Sequence, residues 1–262
     1  MAIERGLSTI AITDHDTLAG IGEAQQAASG TPLRVVPGVE INAEGAWGDL
    51  HFLGYFVDPE NENLQERLQA NRDARRERAR KMVRSLTDLG MPLTWGEVQA
   101  LTDGGTIGRP HIAQALLNRD YVETLEEAFE RFIGRDGPAY FPRLRLEPPE
   151  VIQTILEAGG VPVLAHPAHS GPAAVDAIPD LVRLGLRGIE VHHPDHSVED
   201  VERLLELARA YGLIATGGSD FHGPDVDRGG ALGSPSAPPG CAEQLRGAAA
   251  FVTERRPLKR GS

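Results

Sequence analysis

Three polar residues, Asp14, His15 and Asp16, follow one residue after the apolar run Ile10, Ala11, Ile12. The pattern recurs along the chain. Glu40 lies inside VVPGVEIN, His51 opens an apolar run, His166 ends one, His192 and His193 end another, and Asp220 and His222 stand two apart in GGSDFHG. Imidazole nitrogens and carboxylate oxygens in such places suit divalent Mn, Fe or Zn, and the imidazoles argue against a purely Mg or Ca site. Several of them converging would hold two or more ions close together, the arrangement that clamps the attacking and leaving oxygens of a phosphoryl displacement. Hydrolysis of a phosphate ester is therefore the leading chemistry. Each residue also has a structural explanation. Asp14 or Asp16 can cap a helix starting near Thr17, and a strand-end histidine commonly completes a hydrogen bond. Glu40 resists that treatment, because a carboxylate buried in an apolar strand is costly unless paired or metal-bound.

The elements that must position these groups read as short strands over Thr9–Thr13, Leu33–Ile41, His51–Val57, Val161–Ala165, Gly188–His192 and Leu213–Thr216. Most alternate with helical-period segments at Leu18–Ala28, Pro149–Glu157, Ala173–Leu184 and Val198–Ala208, a rhythm of parallel strands covered by helices. A short Gly- and Asn-containing turn separates the second and third strands, which predicts adjacent strands or a hairpin. In such α/β sheets the chemistry sits at the carboxyl ends of the strands.

Between Pro59 and Arg145 the strand signal stops and helical pattern takes over at Asn63–Leu89, Thr94–Leu101, Pro110–Leu117 and Leu125–Phe132. This predicts a helical subdomain over 59–145 inserted into a domain made of 1–58 and 146–262. Thr94 with Glu97 has capping-box spacing. Residues 67–84 carry eight Lys or Arg against Asp73 and Glu77, either a solvated face or a basic rim for a phosphorylated substrate.

The 262 residues, 40% of them hydrophobic, suffice for one substantial core. A formal net charge of −12 argues against bulk double-stranded DNA binding. The single cysteine, Cys241, excludes an internal disulfide and a cysteine-rich zinc site. No apolar stretch is long enough to suggest a membrane span, and the cytoplasm is the expected compartment. The sequence does not specify an oligomeric state.

The ordered set TDHDT, PGVEI, HFLGY, GRPHIAQAL, LAHP, GIEV and GGSDFHG resembles the PHP (polymerase and histidinol phosphatase) superfamily along essentially the whole chain. The helical insertion with GRPHIAQAL is similar to the branch of nucleoside 3′,5′-bisphosphate phosphatases and 5′-to-3′ exoribonucleases. The resemblance implies a distorted (β/α)7 barrel carrying two or three divalent ions, with Mn expected and Fe or Zn as alternatives. It implies His15, Glu40, His51, His166, Asp220 and His222 as metal ligands, Glu40 bridging. Arg109 and His222 are its catalytic candidates, and Arg109, His111 and His169 its substrate contacts. His192, His193 and His196 are expected to be supporting residues. The implied substrate is a phosphorylated nucleotide or a short RNA end; the alternatives are a histidinol-phosphate-like substrate or a noncatalytic binding module. The family's first strand, with its His-x-His pair, has no counterpart in this sequence, so about two dozen residues of the usual domain are expected to be lacking.

Overall fold

Val, Ile and Thr favour a pleated backbone, and Thr9–Ile12 and Arg34–Gly45, both rich in them, pair in parallel as β1 and β2. Between them runs α1 (Ala19–Ala28), whose Ile21 is buried. The computed structural model describes residues 1–102, 105–142, 146–223 and 230–254. Among these, β1, β2, β3 (Gly48–Tyr55), β4 (Val161–Leu164), β5 (Gly188–His192) and β6 (Ile214–Gly217) form one sheet in sequential order. The strands β2 and β3 make an antiparallel hairpin that turns at Gly45 and Gly48. β3 is also antiparallel to β4, whereas β4, β5 and β6 run parallel. The result is a mixed, curled α/β sheet, with β1 and β6 at its two edges.

The chain divides into two compact units, Met1–Gln65 with Arg145–Ser262, and Glu66–Leu144. The end expected for the insertion, Arg145, lies outside the described residues. The second unit holds most of α2 (Glu62–Asp88), then α3 (Trp95–Ala100), α4 (Arg109–Asn118), α5 (Leu125–Ala128) and a π-helical turn over Phe129–Ile133. Its core comprises Met82, Leu86, Val98, Ile112, Leu116 and Ile133, all almost fully buried. The expected capping box closes α3: the Glu97 amide donates to Thr94 Oγ1 at 3.3 Å, and the Thr94 amide donates to the Glu97 carboxylate at 2.8 Å.

In the sheet-bearing unit α6 (Pro148–Glu157) buries Val151, Ile152 and Ile155. After β4 come α7 (Pro167–Ser170), α8 (Pro172–Asp176) and α9 (Ile178–Leu184), then α10 (Val198–Tyr211) between β5 and β6. The single helix expected over Ala173–Leu184 is thus two. Pro179, with no amide hydrogen, fits the first turn of a helix better than its interior, and the chain breaks at Ala177. The helix α11 (Cys241–Glu254), which the sequence reading missed, packs Cys241, Leu245 and Ala249 with Val36, Leu53, Tyr55, Val161 and Val163.

Close strand packing beside Glu40 needs a residue without a side chain. A Cβ on Gly38 would sit 2.8 Å from Thr13 Cγ2 and 2.9 Å from the Ile12 carbonyl oxygen. Because the latter is main chain, Gly38→Ala is expected to lower stability by about 1–3 kcal/mol, read as a lower midpoint in urea unfolding.

Candidate metal centre

The parallel strands and the antiparallel β3 deliver their polar residues to one end of the sheet by different routes. β1 ends at Ile12, and His15 then bridges to Glu40 of β2. β3 runs the other way, so its beginning reaches that end: His51 is opposite Asn42, and its carbonyl accepts the Ala165 amide at 2.9 Å. His166 follows β4, and Asp220 and His222 follow β6.

Glu40 is the centre of the cluster. It is 7% exposed, and three imidazoles surround its carboxylate. His51 Nδ1 lies 2.6 Å from Oε1, His166 Nε2 lies 3.5 Å from the same oxygen, and His15 Nδ1 lies 3.6 Å from Oε2. Ligand atoms of His15, Glu40 and His51 all fall within 4.8 Å of one another. Burial alone would raise the Glu40 pKa. The charge of His15 and the hydrogen bonds from His166 and His51 outweigh it and hold the carboxyl well below its ordinary range. Conversely, burial disfavours a charged His166, but Glu40 reverses the balance and raises the imidazole.

Asp220 and His222 form a second cluster. His222 Nδ1 donates to the Asp220 carbonyl at 2.6 Å, which fixes the proton on Nδ1 and leaves the Nε2 lone pair for a ligand role. Burial would raise Asp220, but neighbouring His193 and His222 lower it. His15, Glu40, His166, Asp220 and His222 all line one cavity of about 640 Å³ that extends between the edge strands β1 and β6. The donor set fits a divalent ion: nitrogens and carboxylate oxygens converge on a buried anion, with one histidine tautomer already set for coordination.

The other expected site residues are placed less centrally. His169 is half-exposed, with Nδ1 3.0 Å from Asp195 Oδ2. In the second unit, Arg109 opens α4 with its guanidinium 5.5 Å from the Phe129 ring centre and 6.0 Å from that of Tyr140. Among the described residues no carboxylate pairs with it. His111 Nδ1 accepts the Gly108 amide at 3.0 Å, a contact that fixes the turn ahead of α4.

Sequence reasoning assigned no role to Glu190, although GIEV was in view. Its Oε2 accepts the His166 amide at 2.8 Å. That contact secures a residue whose backbone, at φ 28°, lies in the left-handed region. The available signal was a charge inside the apolar strand GIEVH. Burial pushes the Glu190 pKa up to about 7, with His166 and His193 partly opposing.

A raised carboxyl value means that the fold takes up a proton the unfolded chain would release. In the metal-free protein this contribution is therefore complete below the ordinary 4.5 and is lost as pH rises toward 7. The window corresponds to about 3 kcal/mol. Glu190→Gln keeps an oxygen for the His166 amide and is expected to flatten that slope in urea unfolding. An unchanged slope would contradict the assignment.

No family model matches the chain. It is 31% identical over 227 residues to a 3′,5′-nucleoside bisphosphate phosphatase of Chromobacterium violaceum, covering 85% of this chain and 80% of the relative. It is 30% identical over 226 residues to a 5′-3′ exoribonuclease of Haemophilus influenzae, covering 85% and 82%. A crystal structure from Bifidobacterium adolescentis, assigned as a metal-dependent phosphoesterase, superposes with a TM-score of 0.84 at 34% identity, covering 94% of this chain and 88% of that one. Fold, donor set and relatives together define an enzyme that hydrolyses phosphate esters with divalent metal. The chain belongs to the PHP-like phosphoesterase family that these relatives represent. Among the described residues no helix is long and apolar enough to cross a membrane.

Proposed function

We propose that the protein removes the terminal phosphate of a nucleoside 3′,5′-bisphosphate or acts at the 5′ end of a short RNA, in the cytoplasm. The observation that carries this reading is the buried Glu40 carboxylate enclosed by His15, His51 and His166. In this reading these four residues, with Asp220 and His222, would hold two or three divalent ions, manganese by preference. Bound ions supply charge neutralisation at the phosphoryl oxygens and activation of water.

The remaining work falls to the protein. Arg109, pre-set by Phe129 and Tyr140, offers a planar fork that makes two parallel hydrogen bonds to a phosphate. His111 fixes the turn from which Arg109 emerges, and His169, its ring 5.6 Å from that of His166, meets the substrate. The Nε2 lone pair of His222 suits coordination; proton delivery to the leaving oxygen by this ring requires both its nitrogens to be protonated. The finer fold reading is that the six described strands form a distorted barrel of PHP type, with 59–145 as a helical insertion; the cavity between β1 and β6 supports it.

Phosphate release from adenosine 3′,5′-bisphosphate and from histidinol phosphate, and mononucleotide release from a 5′-phosphorylated short RNA, test the assignment. The bisphosphate or the RNA is expected to exceed histidinol phosphate in kcat/KM by about tenfold or more, the worth of one charged hydrogen-bonding contact. Preference for histidinol phosphate would overturn the substrate assignment while leaving the phosphoesterase class intact.

A further inference from the structure

His193 follows β5 and is 4% exposed, with its ring 5.3 Å from that of His166 and 5.3 Å from that of His196. Its two nitrogens have different surroundings. The main-chain amide of Asp195 donates to Nδ1 at 3.2 Å. Nε2 is enclosed, finds no hydrogen-bond partner among the described residues, and points toward Asp220 Oδ2 at 3.9 Å. The Asp195 carboxylate is on the opposite side, 3.9 Å from Nδ1.

An amide N–H can only donate, so it occupies the Nδ1 lone pair and places the proton of the neutral ring on Nε2. A protonated nitrogen has no lone pair for an ion. The ring therefore differs from His222, whose main-chain partner is a carbonyl and whose tautomer is the opposite one. Being next to the metal cluster does not make His193 a ligand, and its local hydrogen bond argues against that role.

We propose that His193 is a positioning residue that donates from Nε2 to the Asp220 carboxylate, leaving the other carboxylate oxygen for a metal ion. Asp220 sits at φ 48°, in the left-handed region, and His193 Nε2 is the buried donor that faces its carboxylate. A displacement of about 1 Å closes the gap to hydrogen-bond length. The Asp195 amide thus orients Asp220 through an imidazole, the kind of outer contact that sets the direction of a ligating side chain.

The inference rests on the metal reading above, and its test separates the two. Nitrogen-15 NMR on the 262-residue chain, at a pH above the ordinary imidazole range, is expected to show His193 protonated at Nε2 both metal-free and zinc-loaded. His193→Ala is expected to weaken Mn²⁺ binding by about 10–100-fold. His193→Gln, whose amide nitrogen can replace Nε2 as a donor, is expected to recover most of that loss. Metal-free unfolding midpoints would identify a variant that simply folds poorly. A proton on Nδ1 in the metal-free protein, loss of the Nε2 proton on adding zinc, or unchanged Mn²⁺ binding by His193→Ala overturns the assignment. A wild-type chain that takes up no divalent ion overturns the metal reading and this inference with it, whereas a wrong tautomer in a metal-binding chain overturns this inference alone.

Discussion

Glu40→Gln is expected to weaken divalent-ion binding by more than about a hundredfold and to reduce phosphate release in proportion. Outer contacts to metal ligands already contribute about 10–100-fold, and Glu40 is enclosed by three candidate ligands at once. The amide keeps the size of the side chain and removes the charge that His15, His51 and His166 surround. A pH effect accompanies it. Because the Glu40 pKa is lowered, its ionised form stabilises the metal-free fold above the ordinary carboxyl range, and that contribution is lost as pH falls through the lowered value. Glu40→Gln should remove this acid-side dependence. Titration calorimetry with Mn²⁺ and urea unfolding along a pH series check the two effects separately. Retained ion affinity in the variant would remove Glu40 from the centre of the site.

Arg109→Ala is expected to lower kcat/KM about 10–100-fold while leaving bound metal unchanged. A charged, bidentate contact to phosphate contributes about 1.5–3 kcal/mol. Arg109→Lys should recover only part of the loss, since an ammonium keeps the charge and loses the fork. The loss of stacking on Phe129 and Tyr140 is expected to lower stability by no more than about 1 kcal/mol. Initial rates with adenosine 3′,5′-bisphosphate and elemental analysis of the same samples decide the point. A fall in metal content would show that Arg109 serves the ion site and not the substrate.

The polar residues that follow apolar runs were legible because strand ends in an α/β sheet are where backbone order gives way to loops. His15, His166, Asp220 and His222 fall into that class. His51 opens its strand, and only the antiparallel course of β3 explains why a strand beginning should meet strand ends. Glu190 and His193 were harder to read. Simple alternation puts Glu190 and His192 on one face of β5, but the register with β6 shifts between those two residues. It is His193 that turns toward Asp220, and period-two reasoning cannot choose between adjacent histidines across such an irregularity. The C-terminal helix α11 escaped for a different reason: the run Gly247, Ala248, Ala249, Ala250 offers little apolar contrast, and the helix is held by packing of Cys241, Leu245 and Ala249.

The most direct test of the metal centre is the divalent-ion content of the purified chain, after metal-free protein is incubated with Mn²⁺, Fe²⁺ or Zn²⁺ and excess ion is removed. The account predicts at least one tightly held ion per chain and phosphoesterase activity that disappears on chelation and returns with the ion. A chain that retains no ion, or that hydrolyses phosphate esters equally well without one, would contradict it.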